Sequence, residues 1–398
     1  MQKILDNMDD CAGCSSCAQS CVRQCIQMTP DEEGFLVPGI DTSRCTDCGL
    51  CQKACPVLHA RNEIEEQDNG SAKAKPRVFA AWNLDEATRL SSSSGGISFL
   101  LAEACIKKGG TAFGASFDRD FTVKHVGISD TSELDSLRRS KYVQSDINKS
   151  YIEAKNLLKE GKQVFFTGTG CQIAGLKTYL QEDYPNLLTA DLICYGVPSP
   201  RIWSLYLGDL KKRFKSEIKA VSFRDKQSDR SDKSMKIEFI NGRTYIDSIT
   251  RETYYIGYWK NLFNRKSCSN CRFRYPNSNA DITLADFLGI QKLSCIEAAE
   301  GKGVSMVIIN TLRGLDAMNS IEKSCFTQER SFEEASRGNP RLISSCPMPD
   351  IRSKFFNDLR KGLSFSKLRR KYMNRFVKRL KMYGKSILSL KFISKPIK

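Results

Sequence analysis

Histidine is nearly missing from this chain. Its 398 residues contain two, His59 and His125. Acid–base catalysis near neutral pH most often uses that side chain, so catalysis of that kind is disfavoured. His59 directly follows a cysteine-rich segment and His125 falls in a predicted strand, and both read as structural. Long apolar runs are missing too. No stretch of about 18 apolar residues could span a bilayer, and the opening MQKILDNMDDC has no signal-peptide core. The expected location is the cytoplasm. No G-x-G-x-x-G follows the first predicted strand, so no Rossmann dinucleotide site is inferred. No C-x3-C-x2-C run occurs, which disfavours a radical S-adenosylmethionine enzyme.

Net charge is scarce over most of the length. Residues 351–398 hold 16 Lys or Arg and one acid, Asp358, a net of +15. The whole chain is +17, so residues 1–350 carry only +2. A nearly neutral body therefore ends in a basic tail, and the net charge does not make the body a nucleic-acid binder. Within the tail Phe365, Leu368, Tyr372, Phe376, Leu380 and Tyr383 recur every three or four residues, the pattern of an amphipathic helix. Such a helix could lie on an anionic membrane surface, dock on an acidic partner or on the body itself, or bind nucleic acid. The last is the least favoured.

Cysteine is abundant. There are 17, nine of them before residue 56. An odd number in a reducing compartment points to metal ligation rather than a disulfide framework. Cys11, Cys14, Cys17 and Cys21 form one C-x2-C-x2-C-x3-C run. Cys45, Cys48, Cys51 and Cys55 form a second, followed by Pro56. This is the two-cluster ferredoxin pattern, in which each run's fourth cysteine ligates the other run's cube. Cys11, Cys14, Cys17 and Cys55 are assigned to one [4Fe-4S] cluster, and Cys45, Cys48, Cys51 and Cys21 to the other. Zinc usually takes pairs rather than triplets. Val22 stands where the first run would have proline, and Cys25 reads as a buried small residue. Two such cubes make a one-electron conduit, so a redox partner protein or soluble carrier is expected.

The remaining sequence reads as mixed α/β (α+β). Residues 1–60 form the ferredoxin module and 61–76 a polar linker. A first body segment covers 77–155, a second 156–345, and the basic tail 346–398. VFAAW, TAFGASF, FTVKHVGI and VSMVIIN read as strands, with ISFLLAEACIKKG a helix ended by Gly109. QVFFTG, CQIAGLKTYLQEDY and LLTADLIC form a strand–helix–strand unit, which implies parallel pairing. KAVSF, MKIEFI and RTYIDSI read as antiparallel strands. The body is expected to have two lobes, parted near 150–160.

One C-x2-C pair, Cys268 and Cys271, has no nearby partner pair. Cys171 follows the first strand of the parallel unit at a helix N-terminus, which favours a thiolate. Cys194 follows the next strand. Carboxyl ends of neighbouring parallel strands share one edge, so the four could close a thiolate site. The alternative is two buried small residues and a partial zinc site. Cys105, Cys295, Cys325 and Cys346 show no partner pattern and read as structural.

SSSSGGISFLLAEA, SKYVQSD, GTGCQIAGLK, CYGVPSP, SFRDK, CSNCRFRYPNSNADITLADFLGI and GKGVSMVIIN occur in that order. Together they resemble the coenzyme F420 hydrogenase/dehydrogenase beta-subunit family over residues 77–320. The resemblance implies a two-lobed α/β flavin-binding body, FAD, and a third [4Fe-4S] cluster on Cys171, Cys194, Cys268 and Cys271. It implies an oxidoreductase that relays electrons between a one-electron carrier and a flavin. The flavin would exchange hydride with coenzyme F420 or reduce an organic substrate, as in a surface-polysaccharide pathway. A non-catalytic electron-transfer subunit is the alternative. Ser93, Ser94, Gly95 and Gly96, and Thr167, Gly168 and Thr169, precede helices and could offer N–H groups to pyrophosphate, although ordinary helix caps look the same. Lys141 could neutralise phosphate and Tyr142 could stack on a ring. Ser145 and Gln172 complete the expected flavin contacts. Asp281, Asp286 and Arg224 sit in family-like motifs, although Asp281 and Asp286 could instead simply cap or pair, and none is counted as catalytic. The sequence departs from the family at Gly170 (commonly proline), Tyr195 (histidine) and Leu288 (tryptophan), which bears on substrate chemistry more than on cofactors.

Overall fold

The cysteine-rich segment has few apolar side chains and builds a small fold. Strands β1 (Ile26–Pro30) and β2 (Leu36–Ile40) pair antiparallel between two short helices, Ser16–Gln19 and Leu50–Lys53. The structure is a computed structural model and describes residues 3–60, 76–226, 233–290 and 301–373. The expected linker up to residue 75, Cys295, and the tail positions Phe376, Leu380 and Tyr383 lie outside the described residues.

The body is organised by one eight-stranded mixed sheet. Its strands are β3 (Arg77–Asn83), β4 (Thr111–Phe117), β5 (Val123–Ile128), β6 (Val164–Thr169), β7 (Leu187–Leu192), β11 (Ile282–Asp286), β12 (Ser305–Ile309) and β13 (Cys325–Arg330). They run in the order β13-β3-β12-β11-β7-β6-β4-β5. The central four, β11, β7, β6 and β4, are parallel, and antiparallel strands flank them on both sides. Buried runs such as Val164–Phe165–Phe166 suit a sheet covered on both faces. Helix Ile97–Lys107 packs Leu100, Leu101 and Ile106 against Phe165, Ala190 and Val307 on one face. Helices Ser150–Lys159 and Gly170–Leu180 pack Tyr151, Leu158, Ile173 and Leu176 against Phe113, Val164 and Phe166 on the other.

A second core surrounds a three-stranded antiparallel sheet of β8 (Ile218–Asp225), β9 (Ser234–Phe239) and β10 (Thr244–Ser248). Helices Pro200–Phe214, Thr253–Trp259 and Ile351–Arg360 close it with Trp203, Tyr254, Phe355 and Phe356. The expected division near residue 155 runs through the large sheet, because β4 before it pairs with β6 after it and β3 with β12. Such non-local pairing leaves no local trace in the sequence. The start of the basic tail also joins the body. Phe365, Leu368, Tyr372 and Met373 are buried in the second core, so apolar spacing there serves the protein's own packing.

Polar contacts tie the cysteine module to the body. Arg352, 2% exposed, pairs with Glu33 and donates to the Asn264 carbonyl at 2.8 Å. Arg265 donates to the Cys11 carbonyl at 2.6 Å, and Thr178 to the Ala54 carbonyl at 2.8 Å. Gln19 and Gln144 accept from the Tyr151 and Leu36 amides at 3.1 and 2.9 Å.

Candidate functional site

The two cysteine runs repeat one backbone solution. Left-handed residues recur at Gly13 and Ser15 in the first run and at Asp47 and Gly49 in the second. Such turns point successive amides inward, the arrangement that receives anions and sulfur clusters. The Gly13 amide already faces the Cys11 sulfur at 3.4 Å. Cys11, Cys14, Cys17 and Cys55 are all buried. Burial pushes the Cys14 thiol up, and the nearby charges of Cys17, Cys55 and Cys11 push it further. Cys55 thus stands beside the first run's thiols although it belongs to the second.

The other set lies nearer solvent. Cys48 is exposed and Cys21, Cys45 and Cys51 are half-buried. Cys25 is buried as expected, but its neighbours are thiols. Its sulfur is 3.3 Å from that of Cys21 and also reaches Cys45.

Cys171, Cys194, Cys268 and Cys271 line one cavity. The parallel register pairs Thr169 with Leu192, so Cys171 and Cys194 each leave the sheet two residues past the same rung. Thr169 and Gln172 form a capping box on the helix that starts at Gly170. Cys268 lies in the short turn Lys266–Asn270 and Cys271 directly follows it. Among the described residues no three His, Cys, Asp or Glu side chains converge tightly enough to hold a single metal ion. An iron–sulfur cube places its own body between the thiolates and needs wider spacing.

The expectation that a helix N-terminus holds Cys171 as thiolate is corrected. Burial pushes this thiol up to about 11, opposed by the Thr169 hydroxyl at 3.1 Å and reinforced by Cys271. Desolvation outweighs the helix end, so the Cys171 thiol keeps its proton unless a bound cation stabilises the thiolate. Cys194, Cys268 and Cys271 are likewise pushed up by burial and by other thiols of the set or, for Cys271, by Asp191.

One helix joins this set to the first cysteine set. Gly175, one turn beyond Cys171, leaves little room for a side chain. A Cβ there would lie 3.0 Å from the Cys14 Cβ and Sγ and from the Tyr151 hydroxyl. Tyr151 is buried, donates to the Gln172 carbonyl at 2.7 Å, and feels the charges of both Cys14 and Cys171. Ala174 and Phe273 share an apolar cluster with Cys11, Cys17 and Cys55.

The expected flavin contacts divide. Ser94 donates to the Val304 carbonyl and the Gly95 amide to Ser305, both at 2.9 Å, while Ser93 accepts from the Ser140 amide. Thr167 donates to the Phe113 carbonyl, and Gly168 lies against Gln172. His125 bridges Ser145 and the Thr167 carbonyl, and burial pushes its ring down to about 4. It is a neutral structural residue. Lys141 donates to the Ser136 and Arg138 carbonyls, and burial pushes it down to about 7. Tyr142 packs edge-on against Phe223 and Tyr255 and tilted on Tyr258.

Around the Ser93–Gly96 loop the structure gathers cations that the sequence reading did not single out. Lys226 donates to the Arg89, Ser94 and Lys302 carbonyls, and burial pushes it down to about 7. Arg138 and Arg139 both donate to Ser91. Buried Arg89 Nη2 and Arg138 Nε have no hydrogen-bond partner among the described residues. The run RRSK at 138–141 and the motif SFRDK, which ends in Lys226, are the sequence signals for them. Asp286 pairs with Arg224 and, at 3.0 Å, with Lys233, while Asp281 accepts from Thr189 and Thr311. Asp286 is thus ion-paired and Asp281 hydrogen-bonded within the fold. Tyr195 and Tyr258 connect the two regions, since each feels Tyr142 and Cys346.

These features define an iron–sulfur electron-transfer protein. Residues 10–58 match the 4Fe-4S dicluster domain, and residues 161–335 match the family described as the C terminus of the coenzyme F420 hydrogenase/dehydrogenase beta subunit. The chain carries a domain of each kind. Among solved structures it is similar to a chain of the F420-reducing [NiFe] hydrogenase complex from Methanosarcina barkeri. The identity is 16% and the TM-score 0.46, over 73% of this chain and 91% of that one. No curated protein matches. No helix among the described residues is long and apolar enough to cross a membrane.

Proposed function

We propose that the chain is an iron–sulfur flavoprotein oxidoreductase joining a one-electron carrier to an organic hydride partner. One observation carries the reading: three thiol sets adjoin one another, one facing solvent, one buried, and one half-buried along a cavity. Cys48 opens to solvent, Cys14 abuts the helix that carries Cys171, and the third set adjoins a basic, tyrosine-walled region. Cys171, Cys194, Cys268 and Cys271 would hold the third cluster. A flavin supplies exchange between single electrons and hydride. Ser93–Gly96, Arg89, Arg138, Lys141 and Lys226 would hold its phosphates, which the unpaired guanidinium nitrogens fit, and Tyr142 would wall its ring. Coenzyme F420 is the hydride partner the family description favours, with an organic substrate of a surface-polysaccharide pathway as the other choice. The basic residues beyond 373 suit an anionic membrane surface, tested by salt-sensitive sedimentation with phosphatidylserine vesicles.

A second reading, a non-catalytic electron-transfer subunit, draws on the inward hydrogen bonds of Ser94 and Gly95. Iron, acid-labile sulfide and flavin per chain, measured on protein purified without oxygen, separate the two. The oxidoreductase reading expects about twelve iron atoms and one flavin. About eight iron atoms with flavin leave only the ferredoxin pair. Loaded clusters without flavin favour the bare carrier.

A further inference from the structure

Cys346 reads from sequence as structural, and its surroundings are of another kind. Half-buried Cys105 and buried Cys325 donate to backbone carbonyls: Cys105 to Thr111 at 3.6 Å, Cys325 to Ile321 at 3.4 Å. Cys346 is 5% exposed and lines the same cavity as Cys171, Cys194, Cys268 and Cys271. Cys194 and Cys268 both feel its charge, and it in turn feels that of Cys271. It also lies outside the matched stretch 161–335.

Two arginines hold its loop against the C-x2-C turn. Arg274 donates to the Cys271 and Ile343 carbonyls and to the Ser345 hydroxyl. The Cys271 amide donates to that same hydroxyl at 3.0 Å, and Arg341 donates to the Ser345 carbonyl at 2.5 Å. Both guanidiniums also lie near Cys346. Cys346 also faces Tyr195 and Tyr258, on the side of the basic region.

Five thiols therefore line a site that needs four. We propose that Cys346 is an exchangeable ligand of the third cluster, able to replace Cys271. In the exchange an iron–sulfur bond to Cys346 forms as that to Cys271 breaks. The proton leaves the Cys346 thiol and ends on the Cys271 sulfur, so charge and electron count are unchanged. This rests on the third-cluster reading.

The test uses full-length protein purified without oxygen as wild type, Cys346→Ser, Cys271→Ser and the double variant. Iron, acid-labile sulfide and the low-temperature electron paramagnetic resonance spectrum after dithionite reduction are measured. Wild type and each single variant are expected to keep about twelve iron atoms, with an altered third signal in Cys271→Ser. The double variant falls to about eight while the ferredoxin signals persist, which shows that it has folded. A fall to about eight in either single variant, or no fall in the double, overturns the exchange. About eight in the wild type instead overturns the third-cluster reading itself.

Discussion

His125 lies with its ring near-parallel to Phe166, locked between Ser145 and a backbone carbonyl. Its folded pKa, about 4, lies below the usual 6.5. An unfolded chain therefore takes up a proton that the folded chain refuses. Stability falls as pH drops from about 6.5 toward 4, by roughly 2 kcal/mol at pH 5. His125→Gln is expected to remove that part of the slope, read as the difference in urea midpoints between pH 7 and 5. Buried Asp191, pushed up to about 6 by desolvation, acts in the opposite direction and is common to both proteins. Parallel slopes would show that the ring is not the group responsible. At this scale the ferredoxin cysteines were legible because tight turns write ligand spacing into the chain. Cys346, Arg89 and Lys226 were not, because tertiary folding alone brings them to their neighbours. The ionisation of Cys171 was misjudged because a helix end is visible in sequence and the depth of burial is not.

The helix Gly170–Leu180 joins two cysteine sets by having nothing at one position. Gly175→Val forces a branched side chain against Cys14 and Tyr151, an overpacking expected to cost about 1–3 kcal/mol. Denaturant unfolding measures that cost. The same variant is expected to lose iron from the first cysteine set before any other, and unchanged stability would mean the two elements are not in contact. The helix and its flanking strands were readable from QVFFTG and LLTADLIC, where apolar runs of strand length border a glycine-rich turn. The order of the eight strands was not. Antiparallel pairing of β3 with both β12 and β13 joins segments more than two hundred residues apart, and no periodicity records it.

At the scale of the molecule, Arg352 reaches from the basic C-terminal part to Glu33 on the cysteine module. Removing one partner of a buried pair costs about 3–5 kcal/mol. Arg352→Met is expected to show a loss of that order in denaturant unfolding, and Arg352→Met with Glu33→Gln a smaller one. An effect below about 1 kcal/mol in the single variant would mean that the module is held by its other contacts. The charge imbalance visible in the sequence thus has a structural part that composition does not reveal.

The gradient from exposed Cys48 to the enclosed set behind it also ranks the molecule's vulnerabilities. Oxygen and oxidants attack exposed clusters first. Brief aeration should strip iron from the Cys45–Cys48–Cys51 end while the inner sites stay loaded, which iron analysis against exposure time would record. A preparation handled in air would keep its brown colour and yet accept no electrons from outside. An inert aerated sample would then report a damaged threshold and leave the proposed activity to be judged on protein handled without oxygen.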